Sequence, residues 1–176
     1  EANSLLREIQ SLPDYQALCD DIGVRNSPLE LGLPRAARLP IVSLLQAKLN
    51  VPIILITDRV ERALTHLEEL KFWAPGRSFF HFPEPAPLFY EQAAWGVRTR
   101  HERLFALAEL SKYHVLGRSK PVDAPIFVAP LRSVMTRTMP RRDFLKNSRV
   151  VKIEQQMSLT HLQEELVDLG YQVADT

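Results

Sequence analysis

The chain has 176 residues, of which 45% are hydrophobic and 24% are charged, and its formal net charge is +1. This composition is typical of a globular protein with one buried α/β core, and the length is too small for two full domains. The charge gives no global sign of a polyanionic partner, although residues 130–152 are basic and both ends are acidic. A single cysteine, Cys19, excludes an internal disulfide and suits a reducing cytoplasm, which is the expected location.

The first predicted elements are two short helices, a strand, a long helix and a second strand. Asn3 is expected to cap a helix over Ser4–Gln10, and Gly23 to end a helix that starts at Pro13. The next three elements are a strand at Pro28–Leu31, a helix at Pro34–Leu49 and a strand at Pro52–Thr57. The last of these is apolar without alternation, so we expect it to be buried on both faces, as in a parallel sheet.

The middle of the chain continues to alternate between strand and helix. Asp58 is expected to cap a helix with apolar residues at helical spacing from Val60 to Leu70. The following elements are a strand at Ser78–Phe82, a proline run at Pro83–Pro87, a helix at Arg98–Tyr113, a loop at Arg118–Pro125 and a strand at Ile126–Ala129. This order predicts an α/β fold with an open, mostly parallel sheet.

The C-terminal part of the chain has a different pattern. We predict a strand at Arg149–Ile153, a helix from Ser158 to Gly170, and the start of a strand at Tyr171–Ala174. The sequence begins with Glu instead of Met and ends on this strand. We therefore expect a piece of a longer protein whose last domain is incomplete.

The segment Leu31–Arg38, "LGLPRAAR", stands where a nucleotide-binding α/β protein has its phosphate loop. Such a loop needs several glycines, a lysine for the outer phosphates and a Ser or Thr for the metal ion. Here Gly32 is alone, Pro34 lacks an N–H, and the only lysine and serine of the helix lie deep inside it. The helix dipole with Arg35 and Arg38 could attract an anion. Because the nucleotide motif is missing, we predict no cofactor in this segment.

No catalytic or metal centre is predicted. The histidines are scattered without metal-ligand spacing, there is no second cysteine, and the nucleophile motif Gly-x-Ser-x-Gly is absent. His81, in "FFHFPEP", is the histidine of most interest. A single histidine in a strand is nevertheless more often structural than catalytic.

The basic stretch at residues 130–152 is a candidate nucleic-acid contact. Arg132, Arg137, Arg141 and Arg142 could lie along one strip and contact phosphates. The stretch contains no recognisable nucleic-acid-binding module, and Phe144 is its one aromatic residue for stacking. Solvated surface charge is the alternative, and the pattern favours it.

Several segments in order resemble the N-terminal region of the bacterial transcription-repair coupling factor, a region that is itself similar to the excision-repair subunit UvrB. The segments are "GLPRAAR", "PIILITD", "FFHFPEPAPLFYEQ", "IFVAPLRSVMTRTMPRRDFL" and "LTHLQEELVDLGYQVAD", and they cover roughly Pro28 to Thr176. The resemblance implies a helicase-like fold of the P-loop NTPase type with a degenerate phosphate loop at Gly32, Pro34, Arg35 and Arg38. ATP and Mg²⁺ are then expected only in motor domains elsewhere in the parent protein.

The resemblance also implies domains and partners. We expect a helical lead-in at residues 1–27, the degenerate helicase-like domain at 28–139 and, at 140–176, the truncated beginning of a small inserted α+β domain that docks UvrA. The docking contacts would then lie after Thr176. RNA polymerase and double-stranded DNA would be bound by other domains. UvrB also carries a damage-probing hairpin, for which Glu91–Val97 is too short.

These observations predict a non-catalytic module of the DNA translocase that displaces stalled RNA polymerase and recruits UvrA. One alternative is a nucleotide-binding fragment of a UvrB-like helicase, which the missing Lys and Ser/Thr after Gly32 and the missing hairpin disfavour. Another is a standalone α/β enzyme unrelated to repair, which sequence beyond Thr176 would decide.

Overall fold

The computed structural model describes residues 2–24, 29–88, 91, 93–113, 122–148 and 154–168. The chain divides into two compact units, Glu1–Arg137 and Thr138–Thr176. The domain bounds given above at 27/28 and 139/140 stay predictions. The strands predicted at Arg149–Ile153 and Tyr171–Ala174, and the helix end at Gly170, lie outside the described residues.

In the described part of the first unit, three parallel strands form the sheet. They are β1 (Ile53–Thr57), β2 (Phe79–His81) and β3 (Ile126–Pro130), in the order β1-β3-β2. Ile126 is the register partner of both Ile53 and Phe79. Of these three strands, the last along the chain therefore lies in the centre, and every residue of β3 is buried. The predicted α/β class with an open parallel sheet is confirmed in this small form.

The strands are accompanied by helices at the places where apolar residues recur with helical spacing. The first unit contains α1 (Ala2–Ser11), α2 (Pro13–Val24), α3 (Arg35–Leu49), α4 (Val60–Trp73), α5 (Val97–Ser111) and α6 (Leu131–Met135). The second unit contains α7 (Arg141–Lys146) and α8 (Leu159–Asp168). The helices predicted from periodicity are confirmed, with ends that differ by a few residues.

Helices α3 and α4 cover one face of the sheet. Their apolar side chains pack with alternate residues of β3 in one core cluster: Leu39, Ala63, Leu67, Leu70, Ile126 and Val128. A second cluster joins Tyr15 and Cys19 of α2 to Leu44 of α3. Cys19 is a buried free thiol, as expected for a cysteine that acts as a small apolar residue.

The opposite face of the sheet is covered only in part. Phe80 of β2 stacks on Phe127 of β3 with ring centroids 5.2 Å apart, and Phe105 of α5 lies 5.9 Å from Phe80. On this face Ile54 and Ile56 of β1 are 53% and 49% exposed. The prediction that β1 is buried on both faces is therefore wrong. Its apolar run resembles that of a central strand, but β1 lies at the sheet edge, away from the aromatic contacts of α5.

Two predicted helix caps are also wrong. Helix α1 begins at Ala2, so Asn3 lies inside the helix instead of before it. The N-cap of α4 is Arg59, which has an extended backbone and no side-chain cap bond. The carboxylate of Asp58 instead lies 2.8 Å from the guanidinium of Arg62, an ion pair that competes with capping.

The strand predicted at Pro28–Leu31 is not present in its described part, Leu29–Leu31. A strand is stabilised by backbone hydrogen bonds to a neighbour. Among the described residues the sheet consists of β1, β3 and β2, and this segment pairs with neither edge strand. It instead leads into α3 without regular secondary structure.

Candidate functional site

Helices α3 and α4 begin at the same edge of the sheet. Helix α3 is joined to the start of β1 by the short turn Asn50–Pro52, and α4 follows the end of β1 after Asp58 and Arg59. Both helices therefore run antiparallel to β1, and their first turns lie beside its carboxyl end. In open α/β sheets this edge is the usual place for a ligand.

The predicted degenerate phosphate loop leads into this first turn of α3. Pro34 is the N-cap residue, with φ −59° and ψ 149° and no side-chain cap bond. The N–H of Leu33 donates to the carbonyl of Leu31 at 2.8 Å, and the N–H of Ala37 donates to the carbonyl of Pro34 at 2.9 Å. Two N–H groups are thus used internally, and Pro34 has none. Three of the seven positions from Leu31 to Ala37 therefore offer no N–H group to a phosphate, in contrast to a working phosphate loop.

Arginine side chains surround the start of α3. Arg35 and Arg38 of α3 line a cavity of about 200 Å³ together with Arg62 and His66 of α4. Arg35 and Arg62 also line a cavity of about 350 Å³ with Arg59. The two cavities share two arginines, so they are neighbours in one region of the surface. We call it the arginine groove and define it by these five residues.

The positive charge of the arginine groove is only partly compensated. Asp58 lies 2.8 Å from Arg62 and 3.8 Å from Arg59, and Glu61 also lines the groove. Two carboxylates therefore face four guanidinium groups. The first turn of α3 contains no acidic residue, so its two arginines lie at the positive end of the helix dipole, where cations are unfavourable.

His66 binds a proton less readily than an ordinary histidine, which disfavours a further positive charge in the groove. Burial is the main reason that the pKa of His66 lies below its ordinary value. Glu69 opposes this shift, and the nearby arginines of the groove add to it. The Nδ1 atom of His66 is buried and has no hydrogen-bond partner among the residues that the structure describes.

His81 lies at the carboxyl end of β2 and belongs to a different cluster. Its Nδ1 atom is 3.2 Å from Oε2 of Glu102, and Nε of Arg98 donates to Oε1 of the same carboxylate at 2.7 Å. Burial disfavours ionisation of Glu102, but the hydrogen bonds from Arg98 and His81 outweigh it, so the pKa of Glu102 lies below its usual value. The cluster joins α5 to β2, and in the described part of the chain it contains no nucleophile.

Arg103 of α5 is buried, and no sequence motif marks it as a site residue. It is 2% exposed. Its guanidinium donates to the carbonyls of Pro83 at 2.8 Å, Ser133 at 3.2 Å and Thr136 at 3.5 Å, and lies over the rings of Phe82 and Trp95. Burial lowers the pKa of Arg103. The available signal was its spacing from Ala106, which places both residues on the inward face of the helix.

The four predicted nucleic-acid residues lie in different settings. Arg132 is 3.3 Å from Glu84 and donates to the carbonyl of Pro87 at 2.6 Å, so it holds the proline-rich loop. Arg137 is exposed in the first unit, whereas Arg141 and Arg142 are exposed at the start of α7 in the second unit. Nucleic-acid contact stays a prediction for these residues.

Metal ligands and membrane spans are absent from the described residues. In this part of the chain, no three His, Cys, Asp or Glu side chains are grouped so that they could hold a metal ion. Nor does any helix there have both the length and the apolarity needed to cross a bilayer.

The sequence was compared with known proteins. No family model matches it. It is similar to the transcription-repair-coupling factor of Bacillus subtilis (strain 168), with 26% identity over 169 residues. The alignment covers 95% of this chain and 14% of that protein. The match supports relatedness to one small segment of a transcription-repair-coupling factor.

Proposed function

We propose that this chain is a non-catalytic module of a transcription-repair coupling factor. The observation that carries the proposal is the alignment, which runs through 95% of the chain instead of through one motif. The parent would be a cytoplasmic, ATP-driven DNA translocase that removes stalled RNA polymerase from damaged DNA. Its excision-repair partner would be UvrA. ATP and Mg²⁺ would act in motor domains outside this segment.

The local geometry at the start of α3 supports a role without nucleotide hydrolysis. The segment Leu31–Ala37 uses two of its N–H groups internally and lacks a third at Pro34. Ser43, which would be needed close to a metal ion, is buried and donates to the carbonyl of Trp73 at 3.2 Å. The residues that would bind triphosphate and metal in a P-loop protein are therefore missing or already engaged.

Calorimetry with ATP and Mg²⁺ tests this part of the proposal. We expect no binding stronger than a dissociation constant of about 100 μM, which corresponds to about −5.5 kcal/mol. Each titration is repeated with EDTA, because P-loop binding depends on the metal ion. Tighter binding that requires Mg²⁺ and prefers ATP over tripolyphosphate would instead favour the alternative of a UvrB-like nucleotide-binding fragment.

We further propose that UvrA is docked by the domain of which the second unit is the beginning. Helix α8 has exposed apolar side chains, with Leu159 at 70% and Val167 at 52% exposure, which supports a surface that more chain or a partner covers. The contacts with UvrA themselves are placed after Thr176. A normal interface requires about 800 Å² from each partner, and one face of a ten-residue helix is too small for that.

A pull-down with UvrA from the same organism tests the docking proposal. It compares this chain with a chain that continues by about 40 residues of the parent sequence, enough for several strands of ordinary length. We expect strong retention of UvrA only by the longer chain. A longer chain whose added residues are scrambled is the control for nonspecific retention. Equal binding by the short chain would place the docking contacts before Thr176.

A further inference from the structure

We propose that the arginine groove binds the phosphate groups of a nucleic-acid backbone. This inference goes beyond the proposed function, which assigns DNA binding to other domains of the parent, and it does not depend on that function. It rests on the arginine side chains of the groove, on their excess positive charge and on the scarcity of apolar and aromatic side chains in the groove.

The first argument is the convergence of four guanidinium groups from separate segments. Arg35 and Arg38 come from the first turn of α3, Arg59 from the turn after β1, and Arg62 from the first turn of α4. All four are exposed, so their N–H groups are accessible to a ligand. A guanidinium presents paired donors that match two oxygens of one phosphate.

The second argument is the uncompensated charge. Arg35 has no ion-pair partner among the described residues, and Arg38 makes one long bond of 3.4 Å to the carbonyl of Leu33. Asp58, Glu61 and, near His66, Glu69 are three carboxylates against four guanidinium groups, so one positive charge remains in excess. Arg35 and Arg38 also lie at the unfavourable end of the α3 dipole. An anion in the groove would remove this repulsion, so the protein without ligand is predisposed to bind one.

The third argument concerns the kind of anion. A free nucleotide needs a closed ring of backbone donors and a place for its base, and three of the seven positions from Leu31 to Ala37 offer no N–H group. Among the described residues, no Phe, Tyr or Trp side chain lines either cavity of the groove, and the imidazole of His66 is its one ring. Cations spread along an open depression instead fit a series of phosphates on a polymer. Without aromatic stacking, the binding is expected to be insensitive to base sequence.

An acidic peptide would also be attracted, but it fits the groove less well. Peptide partners usually contribute apolar or aromatic anchors that fill pockets. The groove is lined by arginines, Glu61, Thr65 and His66, without a large apolar side chain. A nucleic-acid backbone needs no such anchor, because counterion release provides most of its nonspecific binding free energy.

Fluorescence anisotropy with a labelled DNA duplex of about 20 base pairs tests the proposal. At low salt we expect a dissociation constant of about 1–100 μM that is the same for two unrelated sequences. With four phosphate contacts, the logarithm of the binding constant should fall against the logarithm of salt concentration with a slope of about −3.6. No binding at low salt would overturn the proposal.

The decisive variant is Arg35→Gln/Arg38→Gln. It should weaken binding about tenfold and make the salt slope less negative by about 1.8, because two phosphate contacts are lost. The matched control is Arg7→Gln/Arg100→Gln, which removes two exposed arginines from α1 and α5 and should change affinity less than about twofold. Equal weakening by the two variants would mean that only net charge matters, and the groove would be rejected.

Two further measurements keep the test decisive. Arg137→Gln/Arg142→Gln removes charge from the basic stretch, and a loss of affinity there instead of at the groove would overturn the proposal. Polyglutamate of similar length should compete poorly, and competition equal to that of unlabelled duplex would show an acidic-peptide site instead. If the double variant is not folded by circular dichroism, Arg59→Gln alone, at a side chain 76% exposed, should still weaken binding.

Discussion

Arg103 and the arginines of the groove are the same residue type in opposite situations. Arg103 is 2% exposed and donates to carbonyls on the proline-rich loop and at α6, with aromatic rings on its faces. The groove arginines are exposed and face more of their own charge than of the opposite charge. We therefore expect Arg103 to stabilise the fold through its buried hydrogen bonds, and the exposed arginines of the groove to contribute little to folding.

Replacing Arg103 should have the largest effect. Arg103→Ala leaves the carbonyls of Pro83 and Ser133 without their buried donor, and we expect a loss of about 2–5 kcal/mol of unfolding free energy. Urea denaturation followed by circular dichroism measures it. Arg100→Ala, at an exposed position of the same helix, is the control and should cost less than about 0.5 kcal/mol. Similar losses for the two variants would remove the distinction between buried and exposed arginines.

Arg132 lies between the two situations, and its replacement should have an intermediate effect. Arg132→Ala removes an ion pair with Glu84 and a hydrogen bond to the carbonyl of Pro87, and we expect a loss of about 1–2 kcal/mol. A double-mutant cycle with Glu84→Ala separates the two contributions by urea denaturation. A coupling energy near zero would mean that Arg132 acts through the carbonyl alone.

The groove arginines should respond in the opposite direction. Arg35→Gln removes a cation from the positive end of the α3 dipole, and we expect unfolding free energy to rise by about 0.3–1 kcal/mol at low salt. The gain should shrink as salt is added, because exposed charges are screened. Urea denaturation at two salt concentrations measures it. A clear loss of stability would show that Arg35 makes a stabilising contact in the folded protein.

The pH dependence through His66 is the smallest expected effect. The folded-state pKa of His66 is lowered by burial, with smaller effects of nearby charges, so the unfolded chain binds more protons between the two pKa values. The contribution of His66 is therefore fully present above its unfolded pKa of about 6.5 and is lost as the pH falls below that value. Thermal melts from neutral to mildly acidic pH measure it. In His66→Gln this part of the pH dependence should flatten.

The sequence predicted the positions of the helices and strands better than the burial and the order of the strands. Periodicity was sufficient for α4, and an apolar run was sufficient for β1 as a strand. The same run could not reveal that Ile54 is exposed. An apolar run is typical of a strand that is covered on both faces, and it does not indicate whether the strand lies at the edge or in the centre of the sheet. Strand order is decided by pairing between distant segments, which no local pattern contains.

The sequence predicted two of the four arginines of the candidate site. Arg35 and Arg38 were identified at the helix start, but Arg59 and Arg62 join them only because α3 and α4 begin at the same sheet edge. Arg103 was missed because its burial depends on carbonyls from the proline-rich loop and α6, both distant in sequence. Tertiary contacts of this kind decide which of many arginines has a given role.

The central position of β3 has a consequence for how the chain folds during synthesis. β1 and β2 do not pair with each other, and each pairs with β3. During synthesis β3 leaves the ribosome after both of them. The side chain of Asn50 likewise bonds the carbonyl of Val122, a residue 72 positions later. Closing such long loops is entropically costly and slow. Until β3 arrives, the nascent chain therefore exposes unpaired strand edges to other chains and to chaperones.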